Sequence, residues 1–254
     1  MNVVVCVKQV PDPNSVGQLD PSTHNLRRDG VEVVLDPGDE FGIEAGLQLA
    51  EAHGGKVTVV TMAPEKGLDA IRKALAMGAA KGVLVSDPSL AGADALTTAK
   101  VLAAAIRREG FDLVITATES TDGYTGVVPQ ALAEYLGVPA VTFAKAIQSD
   151  GSSLTVRRQT EAGYDNVEAV LPAVVSVTAG VNEPRYPSLK GIMAAKSKPV
   201  DRLSVADLGL DGLVPGQAIV SVQPAEQRKA GEVVEDDGTA AHRVVEFLAA
   251  KKVI

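Results

Sequence analysis

Over its first 136 residues the chain repeats one pattern: a short apolar run, a polar break, then a segment whose apolar residues recur every third or fourth position. Asn2 to Val7 is an unbroken apolar run and reads as a central strand buried on both faces. Lys8, Gln9 and the Pro11-Asp12-Pro13-Asn14 run end it, and residues 14–30 form a polar, turn-rich excursion before Val31 to Leu35. Asp36-Pro37 then has the form of a helix N-cap with proline at the first helical position, followed by Asp39 and Glu40 in the first turn. Phe41, Ala45 and Leu49 carry that helix to about Ala52. Lys56 to Thr61 is the next strand, and a helix from Pro64 places Leu68, Ile71 and Leu75 on one face. Gly82 to Ser86, a helix through Ala95, Ala99, Leu102 and Ile106, the strand Leu113 to Ala117 and a helix over Gly126 to Leu136 complete the series. Strands alternating with helices require right-handed crossovers and a parallel sheet with helices on both faces. The expected fold is therefore α/β, a doubly wound parallel sheet of the nucleotide-binding type with strand order 3-2-1-4-5.

The pattern changes after residue 136. Ala140 to Gln148 and Leu154 to Gln159 flank a hairpin-turn signal, Ser149-Asp150-Gly151-Ser152. Val167 to Val170 and Ala173 to Thr178 extend this β-rich end. A short helix is expected over Lys190 to Lys196, a loop over Ser204 to Gly216, a late strand over Ala218 to Gln223 and an acidic linker over Glu232 to Gly238. Thr239 to Lys251 closes the chain as a helix with Val244, Phe247 and Leu248 on its apolar side. Behind a linker, such a helix either wraps another subunit or folds back on its own domain. Residues 1–185 are thus expected to form the α/β domain with its β-rich end, and residues 186–254 a loop and C-terminal arm.

Composition narrows the function classes. Aromatic residues make up 3% and tryptophan is absent, so a core built from the 46% of hydrophobic residues must be mostly Val, Leu, Ile and Ala. The net charge of −8 disfavours nucleic acid or an anionic membrane as principal partner. The one cysteine, Cys6, excludes an internal disulfide and a cysteine-based metal cluster, and reads as a small buried hydrophobe. The apolar opening is too short for a signal peptide, and no run of 18 apolar residues is present for membrane insertion. A cytoplasmic setting is the expectation. No metal site is expected either.

The chemistry-bearing stretch is the loop after the fourth strand. Ala117, Thr118, Glu119, Ser120, Thr121, Asp122, Gly123, Tyr124, Thr125 and Gly126 lead into a helix opening near Val127 and Val128. Small residues let a backbone approach a ligand closely, and a helix N-terminus carries partial positive charge suited to phosphate. A plain turn with Ser/Thr caps is the other reading of the same residues. In a 3-2-1-4-5 sheet the first and fourth strands adjoin at the topological switch, so Cys6, Asp36, Met62 and the 117–128 loop can share one nucleotide-sized crevice. No GxGxxG follows the first strand and no GxxxxGK[ST] occurs. His24, His53 and His242 lack an obvious partner and read as surface residues, so no catalytic residue is assigned and the chain reads as a binder or carrier. One basic stretch stands out: Arg185 to Arg202 carries five cations against Asp201, with Leu189, Ile192 and Met193 among them. It reads either as a docking site for acidic partners or as a solvated helix with some core contacts.

These residues also match a family. VVVCVKQVPD at 3–12, IRKALAMGA at 71–79, ESTDGYTG at 119–126, VEAVLPAVVSVT at 167–178 and NEPRYPSLKGIMAAKSKP at 182–199 resemble the beta (small) subunit of electron transfer flavoprotein over nearly the whole chain, as does the closing AGEVVEDDG with VEFLAAKKVI. The resemblance implies a heterodimer with an alpha subunit, an FAD shared with that subunit, and an AMP in this chain, with a second FAD in its place in bifurcating members. Carried over, the nucleotide site comprises Cys6, Asp36 to Asp39, Met62 and Ala117 to Val128. Leu189 matches the leucine that anchors partner dehydrogenases, with the neighbouring lysines rimming the contact. Two departures stand out. The family's Asn-Pro-Phe is Asp36-Pro37-Gly38 here, which removes an aromatic, and Gln159 replaces a carboxylate placed near the flavin. A neutral amide there is expected to favour a negatively charged reduced flavin by removing like-charge repulsion.

The implied function is an electron carrier, without substrate chemistry of its own. It would take electrons from acyl-CoA and other flavin dehydrogenases, as in fatty acid beta-oxidation, and pass them to a quinone reductase. The alternatives are a subunit of a bifurcating, NADH-dependent flavoprotein, or a stand-alone nucleotide-binding protein. The 182–199 loop and the tail argue against the last.

Overall fold

The repeated strand–helix unit builds one large sheet in the computed structural model, which describes residues 1–15, 17–223, 231 and 233–254. In chain order the elements are β1 (Asn2–Cys6), β2 (Gln9–Pro11), β3 (Val33–Leu35), α1 (Pro37–Ala52), β4 (Lys56–Met62), α2 (Leu68–Met77), β5 (Lys81–Val85), α3 (Ala95–Glu109), β6 (Leu113–Ala117), α4 (Val128–Leu136), β7 (Ala140–Ser149), β8 (Ser153–Thr160), β9 (Gly163–Val170), β10 (Ala173–Val177), α5 (Leu189–Ala195), β11 (Val200–Leu203) and α6 (Ala240–Ala250). Among the described residues the main sheet has nine strands in the order β11-β5-β4-β1-β6-β10-β7-β8-β9. Every pair from β11 to β7 is parallel, and β7-β8 and β8-β9 are antiparallel. The α/β class with a mostly parallel central sheet is as the alternation demands.

The chain leaves β1 toward β4 and β5 on one side, then crosses to β6 on the other, so the direction of winding reverses between β1 and β6. After β7 it makes the β8-β9 hairpin and returns through β10, which fills the place between β6 and β7. Alternate residues of β1 serve two layers, as a strand's period of two requires. Val3 and Val5 pack with Ile43, Leu47, Ile71 and Leu75 beneath α1 and α2, while Val4 packs with Ile106 and Leu132 beneath α3 and α4. Each such fully buried side chain contributes roughly 1.5–3 kcal/mol.

Four elements differ from expectation. β9 begins at Gly163, four residues before Val167, because Tyr164, Asp165 and Asn166 pair with Gln159, Arg158 and Arg157 while remaining exposed, so no apolar signal marks them. β11 adds an edge strand beside β5, and β2 pairs antiparallel with β3 in a separate two-stranded sheet. Ala218 to Gln223 is irregular rather than a strand: among the described residues its apolar run pairs with no strand. The expected acidic linker begins at Glu232, which lies outside the described residues, as does Val16 of the excursion.

The chain divides into two compact units, Met1–Ile219 and Val220–Ile254. In the second, the Asp237 carboxylate accepts from the Thr239 amide at 2.9 Å just ahead of α6, and Val244, Val245 and Phe247 are exposed along that helix. Among the described residues no helix is long and apolar enough to cross a membrane.

Candidate nucleotide crevice

At the point where winding reverses, α1 starts directly against the end of β6, and one carboxylate joins them. Asp36, wholly buried, accepts the Gly38 amide through Oδ1 at 2.9 Å as the N-cap of α1. Its Oδ2 accepts the Thr121 amide at 2.7 Å and the Thr121 hydroxyl at 3.1 Å. Pro37 supplies the preset φ of the first helical position. Gly38 sits close against β6: a Cβ there would lie 3.2 Å from the Ala117 Cβ and 3.3 Å from Asp36 Oδ1, so a larger residue would make these neighbours give by a few tenths of an ångström.

The β1 end is tied in by Lys8. Its amide donates to Asp39 Oδ2 at 2.7 Å and its carbonyl accepts the Asp36 amide at 2.9 Å. Its ammonium reaches Asp122 Oδ1 at 2.6 Å and the Ser120 hydroxyl at 3.2 Å. Arg28, from the excursion, pairs with the other oxygen of Asp122, whose side chain is 4% exposed. Burial pushes the Asp122 carboxyl up, but Lys8, Ser120 and Arg28 outweigh it and hold the group below its ordinary range. Asp39 goes the other way: burial, then the neighbouring Asp36 charge, raises it well above the ordinary value. Burial also pushes the Cys6 thiol up to about 12, which keeps it an unreactive thiol.

The two carboxyls carry opposite pH signatures. Asp39, with a folded-state pKa above the unfolded one, contributes stability in full below its ordinary value near 3.8 and loses it as pH rises through the raised folded value. Asp122, depressed, contributes in full above its ordinary value and loses it as pH falls through the lowered one. Asp39→Asn keeps an acceptor for the Lys8 amide and removes the alkaline loss. Thermal melts at pH 5 and pH 8 should therefore show the variant gaining on the native chain as pH rises. An equal difference at both pH values would count against a raised Asp39 carboxyl.

The rest of the loop is small and open. Thr118 Oγ1 donates to the Val177 carbonyl at 3.0 Å, tethering the loop to β10. Tyr124 has φ 49° and is exposed, and Gly126 has φ 68° with Glu119 Oε2 3.3 Å from where its Cβ would be. Val127 precedes α4 without a side-chain cap, and Pro129 removes one donor from the first turn, leaving the Val128 and Gln130 amides at the helix start. Thr125 and Val127 also border a cleft of about 490 Å³ toward Leu96 and Lys100 of α3. Two glycines, an uncapped helix start and hydroxyls suit a phosphate-bearing group.

The structure thus joins Asp36, Gly38, Asp39, Ala117, Ser120, Thr121 and Asp122 by hydrogen bonds and contacts, with Cys6 at the end of β1 beneath them. Met62 ends β4 and packs on the core beneath α3. Gln159 is elsewhere, on β8 opposite Tyr164, and Leu189 opens α5. Lys8 and Arg28 are contacts that sequence reasoning missed, since nothing local marks a partner 114 or 94 residues away. Among the described residues no group of three or more His, Cys, Asp or Glu is placed to hold a metal.

The basic stretch needs correction. Arg185 pairs with Glu44 and Glu51, and Arg202 with Glu65. Lys198 does not rim the surface: its ammonium donates to the Leu75 and Ala79 carbonyls at 2.8 and 2.6 Å, at the end of α2. Lys190 and Lys196 are exposed beside Tyr186, Leu189, Ile192 and Met193, which are exposed as well.

A family model described as the electron transfer flavoprotein domain matches residues 23–208. The chain belongs to the electron transfer flavoprotein family. It is 43% identical over 264 residues to the electron transfer flavoprotein subunit beta of Mycobacterium leprae, covering 100% of this chain and 99% of that one. It is 38% identical to the subunit beta of Thermoanaerobacterium thermosaccharolyticum, covering 100% of both. It is also 36% identical to the caffeyl-CoA reductase-Etf complex subunit CarD of Acetobacterium woodii, covering 99% and 97%. A beta subunit of electron transfer flavoprotein implies an alpha subunit as partner, and the family is one of flavin proteins.

Proposed function

We propose that this chain is the small half of a cytoplasmic alpha/beta electron carrier. It shares an FAD with the alpha subunit and holds AMP in the crevice between β1 and β6. Electrons come from acyl-CoA and other flavin dehydrogenases, in fatty acid beta-oxidation among other routes, and go to a quinone reductase. The observation that carries the reading is the match to named beta subunits along their whole length, arm included.

The FAD supplies all the redox chemistry. This chain's part is to bind and orient. The Gly126 amide and the start of α4 at Val127 and Val128 would hold the phosphate, while the Gly123 and Tyr124 amides, which donate to the Ser120 carbonyl, shape the turn that leads to it. Cys6, Pro37, Gly38, Met62 and the Ala117–Thr118 backbone would line the base and sugar. Asp36, already saturated by Gly38 and Thr121, acts from behind by fixing the loop. Thr125 and Glu119 flank Gly126. Gln159 would face the shared flavin and Leu189 the dehydrogenase. The 220–254 unit would wrap the alpha subunit.

The Acetobacterium relative, named as part of a caffeyl-CoA reductase-Etf complex, favours a second reading, in which a second FAD takes the AMP position in a bifurcating, NADH-dependent assembly. Denaturing the purified heterodimer and weighing what is released decides between them. One AMP and one FAD per heterodimer is the expected result. Two FAD would establish the second reading, and neither nucleotide would remove both.

A further inference from the structure

Segment 182–185 lies along one face of α1. Asn182 Nδ2 donates to the Phe41 carbonyl at 3.0 Å. Arg185 then meets Glu44 and Glu51, two turns apart on that face, with both arms of its guanidinium. Nε reaches Glu44 Oε2 at 2.7 Å and Nη2 reaches Glu44 Oε1 at 3.1 Å. Nη1 reaches Glu51 Oε1 at 2.6 Å and Nη2 reaches Glu51 Oε2 at 3.1 Å. The Arg185 amide also donates to Glu44 Oε2 at 3.2 Å, and Gln48 donates to Glu44 Oε1 at 2.8 Å. Glu44 is buried, so this carboxylate has given up its water for that set of donors.

From Arg185 to Leu189 the chain has little freedom. Pro184 and Pro187 bracket the Arg-Tyr pair, fixing two φ angles and holding Tyr186 extended. Ser188 caps α5, accepting the Gly191 amide at 3.0 Å. The far end of α5 is held by Arg72, which donates to the Ala195 and Lys198 carbonyls. Tyr186, Leu189 and Met193 stand exposed between these two fixed ends.

We propose that Arg185 is a positioning residue for the docking segment: by spanning Glu44 and Glu51 it locks residues 186–193 in the orientation that meets a partner dehydrogenase. The role rests on the docking reading of Leu189. A segment held in place before contact loses less freedom on binding, so the lock lowers the concentration of carrier needed without touching the transfer step.

Arg185→Lys tests it, because lysine keeps a cation beside buried Glu44 but cannot span two carboxylates. Glu51→Gln, at the exposed end, cuts half the clamp without baring a buried charge. Each variant is made in the heterodimer and assayed with a purified acyl-CoA dehydrogenase from the same genome, beside Leu189→Ala. Expected for Arg185→Lys are amide exchange at residues 186–196 at least tenfold faster, a KM for the carrier about five- to tenfold higher, and unchanged kcat, flavin content and flavin potential. Glu51→Gln should shift both quantities the same way by less. Unchanged exchange overturns the clamp. Faster exchange with unchanged KM, while Leu189→Ala raises KM, overturns the positioning role alone. Unchanged KM in Arg185→Lys and Leu189→Ala together removes the docking reading and the role with it.

Discussion

Asp36→Ala should unfold at about 3 kcal/mol lower stability than the native chain and, on the proposed function, should leave the proposed heterodimer short of adenylate. The cap on α1 contributes about 1 kcal/mol. The bonds from Thr121 to a charged acceptor contribute roughly 1.5–3 kcal/mol each before compensation. Alanine strands the Gly38 and Thr121 amides where Asp36 is wholly buried. Part of the loss is returned because a buried charge disappears beside Asp39, so the sum stays well under the gross total. Asp36→Asn should fall between: its oxygen still caps Gly38, but its amide presents a donor to the Thr121 N–H. Urea unfolding ranks the three chains, and the mass of released nucleotide reads the site. Native adenylate occupancy in Asp36→Ala would mean that the 117–128 loop holds its shape without this tie and that Asp36 is only a helix cap.

That carboxylate also marks how far the sequence could be read. An aspartate before proline at the mouth of an amphipathic segment announces a helix start, because the cap is a local bond. The strands β1, β4, β5 and β6 were legible for a similar reason: a parallel strand buried on both faces is mostly apolar, and four such runs stand out, interrupted only by small residues such as Thr58, Thr61, Gly82 and Thr116. β11 was not, since Val-Asp-Arg-Leu at a sheet edge buries only Leu203. Ala218 to Gln223 failed in the opposite sense, having a strand's apolar pattern but no partner strand among the described residues. Within the crevice, the small residues of the loop and the Asp36 cap were visible, whereas the Lys8–Asp122–Arg28 cluster was not. An ion pair depends on where three distant segments meet, and charge at Arg28 looks the same in sequence whether it faces water or Asp122. The basic stretch misled for that reason too: Arg185 and Lys198 read as surface charge but serve α1 and the end of α2.

Gly191→Ala sets two rules against each other. Inside a helix alanine is favoured over glycine by about 1 kcal/mol, so propensity predicts a more stable chain. Packing predicts the reverse. A Cβ on Gly191 would fall 2.4 Å from the Ala76 carbonyl oxygen, a backbone atom of α2 that cannot rotate away. α5 would have to back off, and its attachments are directional: Arg72 to the Ala195 carbonyl, Lys198 to those of Leu75 and Ala79. Hydrogen bonds weaken steeply off their optimum geometry, so a shift that relieves the clash loosens all three. Overpacking of this kind costs about 1–3 kcal/mol, which exceeds the propensity gain. The net expectation is a chain less stable by about 1 kcal/mol, with α5 displaced and electron transfer from a dehydrogenase at least tenfold weaker at low carrier concentration. The proposed FAD and adenylate should be retained, since Gly191 lies on α5 and the crevice is built from β1, α1 and the loop after β6. Glycine here serves close approach rather than an unusual backbone angle, so Gly191→Ser should behave like alanine or worse. A Gly191→Ala chain that is more stable than native and reacts at the native rate would show that α5 does not rest on Ala76, and the orientation assigned to Leu189 would go with it.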